Sequence, residues 1–240
     1  MRVNSVPVRS NGKRNGRRRN VDKMDWKGRI VKKGGCMTIE DLQMQLLSAI
    51  QDNNFERICS VAKKYSEQVS PPPGFNYISS YFDEKTTING KEFLITKTQD
   101  TLENKNQWYG SILYNIGNEL ARNGSFQLSI AVYTESLKNY PHPSALNNMA
   151  ASYKYLKDYK SACDCYYNAI KIDKEYTQAY LKLSVLSEAY GYVYEKSSLD
   201  YFKIYMQRTG NNIIKSREYI DGFPKEEVEA LERLISRLKE

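Results

Sequence analysis

Residues 113–141 read LYNIGNELARNGSFQLSIAVYTESLKNYP, and residues 146–174 read LNNMAASYKYLKDYKSACDCYYNAIKIDK. Laid over one another at an offset of 33, Leu113, Ile116, Tyr133 and Ser136 fall on Leu146, Met149, Tyr166 and Ala169. A further 34 residues on, Leu146 and Met149 recur as Tyr180 and Leu183. Self-similarity at such a period marks stacked supersecondary units. Each unit spans two stretches of helical apolar spacing, joined by Asn123-Gly124-Ser125, by Lys157-Asp158, or by Gly191-Tyr192. One such pair cannot bury both of its apolar faces alone, so stability requires neighbours packed on either side. The second helix of the third unit is expected near Tyr194–Met206.

This pattern resembles the tetratricopeptide repeat, a helix–turn–helix of W-x2-L-G-x2-Y, then A-x3-F, then P. The first unit matches with Leu113, Ile116, Gly117, Leu120, Ser129, Tyr133, Ser136 and Pro141. The second matches with Leu146, Met149, Ala150, Tyr153, Ala162, Tyr166 and Ala169, with Lys174 at the usual proline. The third keeps Tyr180, Leu183, Ser184 and Ser187 and then breaks near Gly191. Small residues (Gly117, Ala150, Ser184) recur where the two helices of a unit cross most closely. The expected fold is an all-α helical solenoid of about three tetratricopeptide repeats, with an N-terminal helical hairpin and a C-terminal capping helix.

Outward from the repeats, the chain of 240 residues divides into an arm over 1–35, a hairpin over 36–70, a linker over 71–107, the repeat array over 108–209 and capping helices over 210–240. In the hairpin, Thr38 caps a stripe of Ile39, Leu42, Leu46, Leu47 and Ile50. Asp52-Asn53-Asn54 turns the chain into a second stripe of Phe55, Ile58, Cys59, Ala62 and Tyr65, which Pro71-Pro72-Pro73-Gly74 stops. Asn89-Gly90 between Thr86-Thr87-Ile88 and Phe93-Leu94-Ile95 is a hairpin-turn signal within the linker. At the far end Pro224 opens a helix whose stripe is Val228, Leu231, Leu234, Ile235 and Leu238, with Glu226 and Glu227 early and Arg233, Arg237 and Lys239 late. Sealing the open end of the stack is its expected task, and a short coiled-coil seam is the alternative.

The formal charge of +8 is distributed unevenly. Residues 1–35 carry twelve Lys or Arg against Asp22 and Asp25, a net +10, which leaves −2 on the remaining 205 residues. Lys13, Arg14, Arg17, Arg18 and Arg19, broken by Gly16 and without an apolar neighbour, cannot bury enough surface to fold alone. This cluster reads as a solvated extension, a contact to nucleic-acid phosphates, a nuclear-localisation signal or an organellar presequence. Pro7, Gly12 and Gly16 count against the last, since they spoil an amphipathic helix. Trp26 and Ile30-Val31 are candidates to pin the arm to the folded body.

Mean hydropathy is −0.67 and no long apolar run occurs, so no membrane insertion is expected. The N-terminus lacks the apolar core of a signal peptide, and four cysteines fit a reducing compartment, so the expected location is cytoplasmic, or nuclear if the arm is a localisation signal. Catalytic chemistry has little to work with. The single histidine, His142, lies between Pro141 and Pro143 in an inter-repeat turn, and Cys163 and Cys165 point to different faces of one helix. Lys33-Gly34-Gly35 is a bare linker and not a phosphate-binding loop. Asn123-Gly124-Ser125 is formally a glycosylation sequon. No enzyme, cofactor or metal is expected.

The resemblance implies a concave face lined by the first helix of each pair. Here that set is Tyr114, Asn118, Arg122, Asn147, Asn148, Lys154, Tyr155, Gln178, Leu181 and Lys182: polar, aromatic and mildly cationic. Such a trough suits an extended protein segment or a peptide, bonded by asparagine amides and by cations. One subfamily, co-chaperones of the large heat-shock chaperones, grips an acidic C-terminal peptide in a two-carboxylate clamp. The clamp positions are held here by Tyr114, Asn118, Asn148, Gln178 and Lys182, so both Asn are kept, Lys182 stands in for Arg, and two Lys are missing. The resemblance therefore implies an adaptor binding a peptide or partner subunit, with the acidic chaperone C-terminus as one partner. A subunit of a ribonucleoprotein assembly anchored by the arm is the alternative.

Overall fold

The turn at Asp52-Asn53-Asn54 closes because Asn53 takes a left-handed conformation (φ 48°) and Asn54 accepts the Arg57 N–H at 2.9 Å, capping the helix that follows. It joins α1 (Ile39–Gln51) to α2 (Phe55–Gln68), an antiparallel pair. The computed structural model describes the backbone of residues 23–24, 30–31, 37–71, 85–88, 91–94, 101–219 and 222–240. Side chains are described for 37–71 and for 106–240 apart from 215 and 219–221.

Residues 1–38 form one unit, in which β1 (Lys23–Met24) pairs antiparallel with β2 (Ile30–Val31). The basic cluster from Lys13 to Arg19 and the side chains of Trp26, Ile30 and Val31 lie outside the described residues. Residues 39–240 form the second unit, which holds α1 and α2. Next come β3 (Lys85–Ile88) and β4 (Lys91–Leu94), an antiparallel hairpin with Ile88 opposite Lys91. Three helix pairs follow: α3 (Thr101–Arg122) with α4 (Phe126–Asn139), α5 (Pro143–Tyr155) with α6 (Tyr159–Ile172), and α7 (Thr177–Tyr190) with α8 (Ser198–Arg208). The chain ends with α9 (Ile213–Tyr219) and α10 (Lys225–Arg237). No helix among the described residues is long and apolar enough to cross a membrane.

Each pair is the 33- or 34-residue unit of the sequence, and its contacts explain the residue pattern. The motif positions Leu113, Ile116, Leu120, Tyr133, Leu146, Met149, Tyr153, Tyr166, Tyr180 and Leu183 are all buried. Gly117 is small because a Cβ there would stand 2.6 Å from the ring of buried Tyr133. Ser129 and Ser152 share a buried hydrogen bond of 2.8 Å across the junction of the first and second pairs. Ser136 donates to the Gly110 carbonyl at 2.7 Å within the first pair. Between pairs, α5 sits on α4 and α7 sits on α6, so the first helix of each unit covers the second helix of the unit before. The hairpin continues this stack on the other side. There α2 packs on α3, and the Trp108 indole donates to the Val69 carbonyl at 2.7 Å.

Three sequence expectations shift. Ile39 (44% exposed) and Leu47 (60% exposed) stand off the buried stripe of α1, which is carried by Leu42 and Ala49. The second helix of the third pair begins at Ser198 and not near Tyr194. Ser197 caps it by accepting from the Asp200 N–H, while the preceding loop is fastened to α6 through its aromatic rings. Tyr194 donates to Asp164 at 2.6 Å, Tyr167 pairs with Glu195, and Lys160 lies over the Tyr194 ring. Along α10, Val228 is exposed and Ala230 takes its place in the buried stripe.

The seat of α10 breaks the stacking rule. A fourth first helix would lie on α8, yet α10 packs chiefly on α7, touches α8 only lightly, and reaches Lys154 on α5.

Candidate functional site

Successive first helices present side chains at i, i+4 and i+7 on one side. On α3 and α5 these are Tyr114, Asn118, Asn147, Asn148 and Lys154, and on α7 they are Leu181, Lys182, Val185 and Glu188. The stripe is opposite the one that packs within the pairs (Tyr180, Leu183, Ser184 and Ser187 on α7). The structure joins five of the predicted residues into one ladder. Asn148 donates to Asn118 Oδ1 at 2.9 Å and to the Tyr114 hydroxyl at 3.3 Å. Asn147 donates to Asn148 Oδ1 at 3.0 Å, and the Lys182 ammonium donates to Asn147 Oδ1 at 2.6 Å. Tyr133, from the core of the first pair, donates to Asn118 Oδ1 at 2.7 Å. Side chains from three consecutive first helices are thus bonded side by side.

At the α7 end the face is covered by the chain itself. Leu181 (0% exposed) and Val185 (1%) lie on this outward stripe, in the same apolar cluster as Ala230, Leu231, Leu234 and Ile235 of α10. Glu188, one turn further along α7, takes Arg237 at 3.0 Å and Arg233 at 3.5 Å. Lys154 pairs with Glu227 of α10 at 2.7 Å and stands 4.2 Å from the centroid of the Phe223 ring. The Glu227 side chain is 1% exposed, and its Oε1 has no hydrogen-bond partner. Burial pushes this carboxyl above the ordinary carboxylate range, and Lys154 pulls it part of the way back. Burial, with Lys154 adding repulsion, brings the Lys182 ammonium down to about 8, against which Glu227 acts as a counter-charge.

Two of the other predicted residues engage partners outside the ladder. Arg122 is exposed and paired with Glu119 on its own helix. Tyr155, 72% exposed, stacks on Phe126 with centroids 4.4 Å apart, across the first and second pairs. Gln178 is exposed at the start of α7. The five clamp positions therefore do not converge as free cations and amides. Lys182 is engaged by Asn147, and Asn118 and Asn148 are engaged by each other.

His142 is the N-cap of α5: its Nδ1 accepts the Ser144 N–H at 3.1 Å and its ring stacks on Tyr140. Burial lowers its pKa, keeping the ring neutral and available as an acceptor. Cys163 and Cys165 are buried on α6, and burial pushes the Cys163 thiol up to about 12 and Cys165 well above its ordinary value. Both are protonated at neutral pH and are packing groups. Among the described residues, no group of three His, Cys, Asp or Glu side chains converges as metal ligands.

Sequence reasoning missed Val185, Glu188, Glu227, Arg233 and Arg237. The signal was present in α7, where Tyr180, Leu181, Leu183, Val185 and Leu186 leave no polar side, as in a helix covered on both faces.

No curated protein matches the chain. The family model of the tetratricopeptide repeat matches residues 143–176, the segment that holds α5, α6 and the turn into α7. Residues 143–176 are a tetratricopeptide repeat, and the helix pairs on either side extend it into an all-helical solenoid of that type.

Proposed function

We propose that the chain is a non-catalytic adaptor that binds an extended segment of a protein partner along the α3–α5 part of the concave face, a role in protein–protein interaction being what a tetratricopeptide repeat suggests. The asparagine–tyrosine ladder carries this reading. In it Asn118 Oδ1 accepts twice while its NH2 gives nothing to the ladder, and the Tyr114 hydroxyl accepts from Asn148 with its own proton still to give. Donors held at fixed spacing by rigid helices suit the carbonyls of an extended backbone.

The test places the photo-crosslinking residue p-benzoylphenylalanine at Ser111, one turn before Tyr114 on the same side of α3, and, separately, at exposed Lys203 on α8, in cells expressing the full chain. Crosslinks to partner protein are expected at 111, are lost when Asn148→Ala is added, and are absent at 203. Capture at 203 but not at 111, or capture at 111 indifferent to Asn148→Ala, refutes the assignment. An acidic chaperone-type C-terminal peptide in an anisotropy titration separates the co-chaperone reading: low-micromolar binding abolished by Asn148→Ala supports it, and its absence leaves a neutral extended segment as the ligand.

A further inference from the structure

The α7 end of the concave face accommodates a helix. We propose that it is a binding site for an amphipathic partner helix, and that α10 is its resident, displaceable occupant. This goes beyond the reading above, since it concerns a different part of the face and a different ligand conformation.

Three observations carry it. First, the seat of α10 is not the next place in the stack. In both regular junctions the incoming helix covers the preceding second helix, whereas α10 touches α8 only lightly and lies on the outward stripe of α7. Second, the match is chemically specific along its length. Glu227 in the first turn meets Lys154; Ala230, Leu231, Leu234 and Ile235 share a cluster with Leu181 and Val185; Arg233 and Arg237 in the last turns meet Glu188. An acid, then apolar residues 3, 4, 7 and 8 positions on, then bases 6 and 10 positions on, is the pattern a competing helix must present. Third, the seat is imperfectly satisfied. One oxygen of Glu227 is buried without a partner, and Lys182 sits close by with a depressed pKa, so docking retains a desolvation cost. A partner helix that supplies the missing donor gains what α10 lacks. Tethering holds α10 at an effective concentration of order millimolar, which keeps weak competitors out.

The experiment uses the full chain and a fluorescein-labelled peptide of residues 222–240. Hydrogen exchange on the wild type is expected to show amides of 228–237 opening while α5 and α7 remain protected. The peptide is expected to bind Leu234→Asp, whose own α10 is weakened, at least ~10-fold more tightly than the wild type. Where Leu234→Asp fails to fold, the double variant Arg233→Glu/Arg237→Glu takes its place, since both arginines are about half exposed and only the Glu188 contacts are cut. Exchange of α10 and α7 as one unit overturns the proposal, as does equal peptide affinity for wild type and opened variant. A concentration-dependent dimer of the wild type in sedimentation, with α10 exchanged between copies, overturns the partner helix in favour of a second copy.

Discussion

Replacing Lys154 by Met removes the sole hydrogen-bonding counter-charge of a carboxylate that has almost no access to water. The Glu227 side chain is 1% exposed, Lys154 is 16% exposed and 2.7 Å away, and the second carboxylate oxygen has no partner to fall back on. Breaking a buried pair from one side costs about 3–5 kcal/mol, because an uncompensated charge stays behind. Lys182 remains nearby as a partial counter-charge, so the lower figure applies, about 3 kcal/mol near pH 8. Against a domain stability of about 5–15 kcal/mol this is a large fraction. Replacing both partners by apolar residues (Lys154→Met with Glu227→Leu) removes the charge altogether and is expected to stay within about 1 kcal/mol of the wild type. The pH dependence has a definite sign. The folded-state pKa of Glu227 is raised, so below it the folded protein holds a proton that the unfolded chain has lost. Loss of Lys154 raises that pKa further. The deficit of Lys154→Met is therefore fully present above the folded pKa and shrinks as pH falls towards the unfolded value. Urea denaturation followed by circular dichroism, near pH 8 and near pH 5.5, measures all of this for the four members of the cycle. Equal losses in the single and double variants, or a deficit indifferent to pH, would refute the reasoning.

Lys182→Met probes the neighbouring cation. With a folded pKa of about 8 against the ordinary 10.5, Lys182 makes wild-type stability rise as pH climbs through 8, so the wild type gains about 2 kcal/mol on the variant between pH 7.5 and 9.5. Parallel stability–pH curves contradict this. The tyrosines raised by burial titrate alike in both proteins and cancel. Gly110→Ala puts a methyl 2.6 Å from Tyr140 Cβ and 2.8 Å from the Tyr140 backbone nitrogen, which no rotamer change relieves, and should cost about 2–3 kcal/mol in thermal or urea unfolding. Gly117→Ala meets only the Tyr133 ring, and a gain in helix propensity of about 1 kcal/mol offsets part of the strain, so a smaller loss of about 1–2 kcal/mol is expected; a stabilising Gly110→Ala falsifies the close crossing. Asp158→Ala removes the cap of α6, where one carboxylate accepts from the Ser161 N–H and hydroxyl, and should lower the urea midpoint by the equivalent of about 1 kcal/mol.

The repeat was legible because its residues answer to local and nearest-neighbour contacts. Gly117 faces Tyr133, and Leu113, Leu146 and Tyr180 fill equivalent places in successive pairs, so self-comparison alone recovers the helix pairs. The start of α8 was less so: Tyr194 reads as the first apolar position of a helix, yet it and Tyr192 hold a loop to α6 through Lys160 and Asp164, partners 30 or more residues away. Leu47 has the spacing of a core residue, but among the described residues the hairpin is covered on one side only, and its stripe is narrower than the run of apolar residues in α1. A stripe states that a face will be covered; it does not state what covers it.

That distinction changes the chemistry of the candidate face. Read as a list, Arg122, Lys154 and Lys182 make the trough cationic and invite an acidic peptide. In the folded chain Arg122 pairs with Glu119, Lys154 with Glu227, and Lys182 with the Asn147 carbonyl, so each positive charge has an internal partner. An incoming carboxylate must compete with those partners, which removes most of the charge-assisted gain of a clamp. The part of the face that α10 does not reach, around Tyr114, Asn118 and Asn148, is neutral and rich in amide and hydroxyl groups. On the proposed reading it takes a ligand that offers backbone carbonyls and not formal charge, and the α7 end takes an apolar helix with an acid at its beginning and bases at its end. The face would then be divided between two chemistries by a helix that the chain supplies itself.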